Sequence, residues 1–161
     1  MTVPAFRLRE ARREDVPAIV GLIRDLALYE RQPEDCHADP RLLEEHLFGA
    51  SPRAEVVVAE VEGEIVGFAL FFHNYSTWLT RPGLYLEDLF VKPERRGLGI
   101  GKALLVHLAR IAVERGCGRM EWAVLTWNEP AIGFYRALNA VEMDDWRIYR
   151  LAGDALRALG R

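Results

Sequence analysis

The apolar positions at the start of the chain predict a strand followed by two helices. Residues 6–9 alternate between apolar and polar side chains, which is typical of a half-buried strand. Apolar residues then recur at helical spacing as far as Tyr29, in a helix that Asp15 can cap and that has Pro17 in its first turn. A second helix is predicted from the pair at 39–40, where a capping residue again precedes a proline.

The middle of the chain predicts a hairpin, a loop and a buried strand. Residues 55–61 and 65–72 are rich in strand-forming side chains and are separated by a short glycine turn. Residues 73–83 are expected to form a loop. Bulky residues at 85–91 then predict a buried strand, which Pro93 ends because proline lacks the N–H that a sheet ladder needs.

Three alternating glycines separate this strand from an amphipathic helix. They are Gly97, Gly99 and Gly101, and the helix runs through residues 103–112 to a glycine stop at Gly116. Glycines let the backbone approach a ligand closely, and the N–H groups at a helix start carry a partial positive charge. The order strand, glycine turn, helix therefore predicts an anion site, and a phosphate is the expected ligand.

The spacing of the turn excludes two common phosphate motifs. It is not the G-x-G-x-x-G of dinucleotide folds, and Ala103 stands where a nucleoside triphosphatase loop needs a hydroxyl. It fits R-x-x-G-x-G, with Arg96 in first place and further positive charge from Arg95 and Lys102. A glycine turn without a ligand is the alternative.

The last part of the chain predicts a strand, a short helix and a closing hairpin. The strand covers 120–125, and the helix starts at the cap Asn128 and ends where Asn139 can adopt a left-handed conformation. Residues 141–143 and 146–151 are expected to pair as a hairpin, followed by a short helical tail. The element order predicts one domain, 1–161, of the mixed α/β class.

Composition narrows the classes of function. With 161 residues and 50% apolar content the chain can bury a core of its own, and a net charge of −3 excludes a broad nucleic-acid-binding surface. No apolar run is long enough for a membrane span and no signal region begins the chain, so we expect a cytoplasmic protein without a membrane partner. The two cysteines and four histidines lack metal-ligand spacing, so no metal is expected.

Three stretches together carry a resemblance to a known family. The glycine turn, the run Tyr85-Leu86-Glu87-Asp88 and the run from Trp127 to Tyr135 are similar to the GNAT N-acetyltransferase superfamily, and within it to the diamine (spermidine/spermine-type) branch. The similarity extends from about Phe6 to Leu151. It implies a central mixed, mostly antiparallel sheet with splayed strands and flanking helices, acetyl-CoA as cosubstrate and a homodimer.

The resemblance also implies which residues hold the coenzyme. Backbone N–H groups near the end of the glycine-motif strand would stabilise the developing oxyanion, and the turn would bind the pyrophosphate. The implied coenzyme-binding set is Leu89, Phe90, Val91, Arg96, Gly97, Leu98, Gly99, Ile100, Gly101, Lys102, Asn128, Glu129, Pro130 and Ala131. Asn128 can bind the coenzyme arm and cap its helix at the same time.

Two residues are candidates for proton transfer. Strand alternation places Glu87 and Asp88 on opposite faces, and the resemblance gives Glu87 the amine proton, directly or through a water. An exposed acidic pair is the alternative. Tyr135 is implied as the acid for the departing thiolate, a transfer that is uphill by about 2 kcal/mol between the ordinary pKa of a phenol and that of a thiol. A tyrosine that only packs in the core is the alternative there.

The implied substrate is a small primary amine: a polyamine, a diamine or a lysine-like amino acid. Acidic side chains would attract such a cation. The implied substrate-binding residues are Tyr29, Glu30, Glu87, Glu121, Trp122 and Ala123. Two other functions stay open at this point, a protein lysine or N-terminal acetyltransferase and a coenzyme A-binding sensor without turnover. The expected dimer interface is the C-terminal hairpin with Trp146, Ile148 and Tyr149.

Overall fold

The computed structural model describes residues 5–161, which form two compact units that meet in sequence between Ala123 and Val124. Three single-turn 3-10 helices at 13–15, 33–35 and 93–95 supplement the regular elements. The strands are β1 Phe6–Glu10, β2 Glu55–Val61, β3 Glu64–Ser76, β4 Arg81–Val91 and β5 Met120–Trp122. The helices are α1 Val16–Tyr29, α2 Pro40–Phe48, α3 Ile100–Glu114, α4 Glu129–Ala137 and α5 Gly153–Leu159.

The first unit is built on one five-stranded sheet in the order β1-β2-β3-β4-β5. The first four strands pair antiparallel, and β5 pairs parallel with β4. Positive φ angles at Glu62 and Gly63 form the tight turn between β2 and β3, as the sequence predicts. The expected mixed, mostly antiparallel sheet with flanking helices is therefore confirmed.

The predicted loop at 73–83 is wrong for most of its length, since the strands leave a turn at 77–80. The ladder between β3 and β4 continues through His73 with Leu84, Asn74 with Gly83 and Tyr75 with Pro82. Polar side chains and a proline weaken the local strand signal here, but a long paired neighbour supplies the backbone hydrogen bonds that the isolated pattern does not reveal. The result is a long hairpin whose second arm carries Glu87 and Asp88.

Helices cover both faces of the sheet. On one face, side chains of α1 and α2 pack with Val56, Val58, Phe68 and Phe90 in a buried cluster. On the other face, α3 buries Ile100, Leu104, Leu105, Leu108 and Ala112. Fully burying a leucine, isoleucine or phenylalanine side chain contributes about 1.5–3 kcal/mol, so these two layers fix the position of β4 between them.

The cap of α1 differs from the prediction. Asp15 occupies the N-cap position, but its carboxylate makes no capping bond to the helix. It accepts instead from the Arg12 backbone N–H at 2.7 Å and from the Arg9 guanidinium at 2.6 Å, which ties β1 to the start of α1. The second predicted cap is confirmed, since Asp39 accepts from the N–H groups of Arg41 and Leu42.

The second unit, Val124–Arg161, contains α4 and α5. Asn128 caps α4 by accepting from the Ala131 N–H, and Asn139 has the left-handed φ of 63° that the sequence predicts after this helix. The predicted hairpin of 141–143 and 146–151 is wrong: within residues 5–161 these segments form no strand. Their turn exists, as Trp146 N–H donates to the Met143 carbonyl, but a strand also needs a pairing partner.

Candidate functional site

The glycine turn after β4 has the open geometry of an anion cradle. Gly97 and Gly99 both have φ of 80°, in the left-handed region that L side chains rarely adopt. A Cβ added at either position would meet no atom within 4 Å, so the outer side of the turn is open space. The glycines are therefore required by backbone conformation, and the space beside them is available to a ligand.

The start of α3 supplies the donors. The first intrahelical bond of this turn runs from the Ala103 N–H to the Gly99 carbonyl, so the N–H groups of Ile100, Gly101 and Lys102 have no acceptor inside the helix. Gly99 is the N-cap and has no side chain to cap them. Together with the helix dipole and the exposed Lys102, these donors fit a phosphate.

A β-bulge at Glu87 shapes β4. Leu86 pairs with Phe71 and Asp88 with Leu70, which leaves Glu87 without a partner on β3. Two consecutive residues of β3 thus correspond to three residues of β4, and the alternation of side chains along β4 shifts there by one. Leu86 and Asp88 therefore lie on opposite faces, whereas an unbroken period of two would place them on the same face. The prediction that Glu87 and Asp88 point to opposite faces concerns the bulge residue itself and stays a prediction.

Near this bulge, carboxylates of β4 and of the end of α1 lie close enough for their negative charges to repel one another. Burial, together with the charges of Glu87 and Glu30, raises the pKa of Asp88 to about 6. Burial likewise raises the pKa of Glu30, which follows the last residue of α1. Within residues 5–161 the side chain of Asp88 has neither a hydrogen bond nor a salt bridge. The cluster is negative, partly desolvated and without an internal cation.

The end of α1 adds to this negative potential. The Glu30 N–H donates to the Leu26 carbonyl, and Arg31 then adopts a left-handed φ of 63° that ends the helix. The last turn of α1 contains no basic residue, so its carbonyl dipoles and the Glu30 carboxylate act together. Such an end favours a bound cation.

Glu121 lies beside this cluster but already has a cationic partner. Tyr85 pairs with Glu121 across the parallel strands, and burial raises the pKa of Tyr85, as do the charges of Glu87 and Glu121. Glu121 forms a salt bridge of 2.9 Å with Arg119 and accepts from the Asn74 amide at 3.5 Å. Its charge is therefore partly neutralised.

The other residues expected on β5 take different positions. Trp122 pairs with Leu86, one position on from the pair of Tyr85 and Glu121, so Trp122 and Glu121 lie on opposite faces of the sheet. Ala123 follows the strand and is exposed. The sequence thus brings Glu121, and not Trp122, to the face of Tyr85.

The free edge of β4 lies between the acidic cluster and the glycine turn. Pairing of β4 with β5 stops at Leu86, whereas pairing with β3 continues through Leu89, Phe90 and Val91. From Glu87 to Val91 the other edge of β4 has no strand partner within residues 5–161. This edge is where the predicted oxyanion donors would need to be.

Arg96 connects the turn with the end of α1. Its Nε donates to the Val91 carbonyl at 3.1 Å. Its guanidinium carbon lies 4.9 Å from the ring centre of Tyr29 and 5.4 Å from that of Phe90. The two rings are themselves 6.5 Å apart and tilted by 54°. The motif arginine is thus positioned by aromatic faces as well as by the strand end.

The remaining predicted residues belong to the second unit. Asn128 is half-buried and is the cap of α4, with Glu129, Pro130 and Ala131 in the first turn of the helix. Tyr135 is half-buried in the same helix, and its ring centre lies 5.7 Å from that of Phe134. The cap role of Asn128 is confirmed, and the catalytic role of Tyr135 stays a prediction.

Asp88 is the residue that sequence reasoning leaves out of the site. The available signal is its position next to Glu87 in an otherwise apolar strand. Regular alternation assigns it to the wrong face, and only the observed register reveals the bulge.

In the part of the chain that the structure describes, no group of histidine, cysteine and acidic residues is arranged to hold a metal ion. In the same part, none of the helices is both long and apolar enough to span a membrane.

The raised pKa of Asp88 makes stability depend on pH. A raised folded-state pKa stabilises the fold below the unfolded value of 3.8, and this contribution is lost as pH rises through about 6. Asp88→Asn should therefore be more stable than the parent at pH 8, by up to about 3 kcal/mol, with the difference vanishing near pH 4. Urea unfolding at both pH values measures this, with the exposed Asp25→Asn as control. A difference between parent and Asp88→Asn that is independent of pH would contradict the assignment.

Comparison with known proteins agrees with this architecture. The sequence profile of the Acetyltransferase (GNAT) family matches residues 20–140. A thialysine N-epsilon-acetyltransferase of Bos taurus is 39% identical over 94% of this chain and 95% of its own length. A spermidine/spermine N(1)-acetyltransferase-like protein 1 of Homo sapiens is 32% identical over 94% of this chain and 23% of its own. A solved integron cassette protein from the mobile metagenome of V. cholerae superposes with a TM-score of 0.81 at 27% identity, over 97% of this chain and 98% of that one.

These matches confirm the resemblance that the motifs carry, including its diamine branch. The family uses acetyl-CoA as cosubstrate, and the open glycine turn and the donors of α3 fit the phosphates of that molecule. The chain belongs to the GNAT acetyltransferase family and is an N-acetyltransferase.

Proposed function

We propose that the chain acetylates a primary amine of a small substrate that carries further positive charge, of the lysine-like or polyamine class. The observation that carries the proposal is the cluster of Glu30, Glu87 and Asp88, which is negative and has no internal cation within the described residues. A bound ammonium would supply that cation. Relatives named for thialysine and for spermidine or spermine support the same class.

The coenzyme is proposed to lie along the free edge of β4 and the glycine turn. Acetyl-CoA, when bound, supplies the thioester whose carbonyl carbon the amine attacks. N–H groups of Ile100 and Lys102 would hold phosphate, and those of Leu89 and Val91 would stabilise charge on the carbonyl oxygen. The rest of the proposed coenzyme-binding set is Phe90, Arg96, Gly97, Leu98, Gly99, Gly101, Asn128, Glu129, Pro130 and Ala131.

A carboxylate must take the amine proton. An alkylamine has a pKa near ~10.4, so about one molecule in a thousand is nucleophilic at neutral pH. We assign the acceptor to Glu87, which is exposed at the bulge and can act directly or through a water. Glu87 takes the proton whose loss turns the ammonium into a free amine. As the new C–N bond forms, the C–S bond breaks and the thiolate takes a proton from Tyr135. The second proton that the nitrogen loses passes to solvent, from which Tyr135 is reprotonated.

Asp88 and Glu30 are proposed to hold the second positive charge of the substrate. Both are partly buried carboxylates whose pKa values are raised, and a neighbouring ammonium would favour their charged forms. Tyr29 precedes Glu30 and offers a ring face at the same end of α1. Glu121, Trp122 and Ala123 stay in the proposal as more distant residues, since Arg119 already engages Glu121.

Consumption of acetyl-CoA against matched amines tests this function. We expect the enzyme to release free coenzyme A thiol from acetyl-CoA much faster with thialysine, ornithine or spermidine as the acceptor than with a lysine-containing peptide. The matched pair 1,4-diaminobutane and 1-aminobutane isolates the second charge, and we expect the diamine to have the higher kcat/KM because the acidic cluster binds its distal ammonium. Equal values for the pair would contradict the role of the cluster. Acetylation of the peptide alone would favour a protein acetyltransferase, and no turnover with any amine would favour a coenzyme A sensor.

Two variants test the proton transfers. Glu87→Gln should lower kcat by about 10²–10⁴-fold and remove the acidic limb of the pH–rate profile, because the amide cannot accept the proton. Tyr135→Phe should lower kcat less and leave coenzyme A affinity unchanged, since only the hydroxyl is lost. Asp88→Asn is the neighbouring control and should mainly raise the KM of the diamine. A Glu87→Gln variant that keeps its activity would move the base to another residue.

We further propose that both units work as one acetyltransferase domain in a two-fold homodimer. The matching profile extends across both units, and a unit of the length of 124–161 is too short to bury an independent core. Val141, Met143, Trp146, Ile148 and Tyr149 are exposed in a segment that has the alternation of a strand without being one. A second copy would supply the missing ladder and cover these side chains. The cytoplasmic location stays a prediction from the sequence.

Light scattering on the purified chain tests the dimer. We expect twice the chain mass of 18.3 kDa at micromolar concentration, because large exposed apolar side chains favour association. Ile148→Glu should shift the equilibrium towards the monomer, since it places a charge in the proposed interface. The exposed Val113→Glu on α3 is the matched control and should leave the mass unchanged. A parent protein that stays monomeric would rule out the proposal.

A further inference from the structure

The Arg96 side chain points from the glycine turn towards the end of α1. Its guanidinium is stacked at 4.9 Å over the ring of Tyr29, the last residue of α1, and at 5.4 Å over Phe90 of β4. Its Nε is occupied by the Val91 carbonyl at 3.1 Å. The side chain thus spans from the turn that would bind the coenzyme to the helix end that bears Glu30.

A comparison with the neighbouring arginine makes this placement specific. Arg95 stands in the same turn and carries the same charge, but its guanidinium lies 4.0 Å from Glu64 at the β2–β3 turn. Among the described residues Arg96 has no salt bridge, so aromatic faces and one carbonyl position it. Arginine suits this role because its planar group can stack and donate at once, which lysine cannot do.

The placement has a mechanical consequence for Tyr29 and Glu30. The chain turns sharply after α1 through the left-handed Arg31, and Tyr29 itself is 37% exposed. The Arg96 guanidinium and the Phe90 ring both contact the Tyr29 ring, so they contribute to holding it at the helix end. Glu30 follows directly and moves with it.

We propose that Arg96 is a positioning residue that holds Tyr29 and Glu30 at a fixed distance from the glycine turn. Tyr29 and Glu30 form the amine side of the proposed site. The inference rests on the proposed function and adds a specific coupling to it: loss of the Arg96 side chain weakens amine binding through Tyr29, besides any loss of phosphate contact. The Nη groups of Arg96 still face no carboxylate within residues 5–161, which leaves them able to donate to a phosphate.

Steady-state kinetics with thialysine and acetyl-CoA separate the two contributions. Arg96→Ala should raise the KM of thialysine by about three- to tenfold, as expected for losing modest cation–π contacts, and Arg95→Ala should leave that KM within about twofold. In a Tyr29→Leu background, Arg96→Ala should cause no further rise, because the contact it removes is already absent. Arg96→Lys should retain most of the coenzyme A affinity in calorimetry but not the KM for the amine.

Hydrogen exchange gives a readout that does not depend on turnover. The amides of Glu30 and Gln32, which donate to the carbonyls of Leu26 and Ala27, should exchange faster in Arg96→Ala and not in Arg95→Ala. Equal exchange in the two variants, or an Arg96→Ala effect on KM that persists in the Tyr29→Leu background, would overturn the inference. Failure of the parent to acetylate any amine would overturn the proposed function instead, while the exchange result would still decide the role of Arg96.

Discussion

The extra residue in β4 is the constraint on which the rest of the site depends. Because Glu87 has no partner on β3, the side chains of Leu86 and Asp88 lie on opposite faces of the sheet, although they are two residues apart. Leu84 and Leu86 are buried before the bulge, and Phe90 joins the α1–α2 cluster after it. One inserted residue thus lets both halves of the strand bury apolar side chains and places Asp88 on the face of Phe90. Without it, Asp88 would follow the face of Leu86 and Leu84.

That arrangement concentrates negative charge where the fold cannot neutralise it. The buried ion pairs elsewhere are complete: Arg9 holds both Asp15 and Glu60, and burial of Asp15 is compensated so that its pKa is lowered. Asp88 shows the opposite, since its pKa is raised by burial and by like charges. A carboxylate that destabilises the folded state is tolerated where a ligand restores the balance, and perturbed groups of this kind cluster at functional sites. Asp15 thus has a structural ion pair, whereas the role of Asp88 in substrate binding stays a proposal.

The sequence predicts the parts whose signals are local and misses those that depend on a partner. The caps at Asp39 and Asn128, the left-handed Asn139 and the glycine turn follow from residue chemistry within a few positions, and each is confirmed. The extension of β3 through 73–76 and of β4 back to 81 depends on a ladder between the two strands, which the pattern of one strand alone does not contain. The bulge has the same origin, and it is why regular alternation assigns Asp88 to the wrong face. The alternating segment at 141–151 shows the converse error, a strand pattern without a strand to pair with.

The two ends of the proposed site are of opposite charge, and β4 sets their separation. Four residues of strand from Glu87 to Val91 extend about 13 Å, which exceeds the Debye length of ~8 Å at physiological ionic strength. We therefore propose that the positive charge of Lys102 at the turn attracts phosphate without cancelling the attraction of the Glu87 carboxylate for an amine. Because salt screens the electrostatic interaction between the two ends, ligand binding at one end can orient the other end only through a mechanical link. The Arg96 guanidinium provides that link, since it starts in the turn and ends on the ring that precedes Glu30.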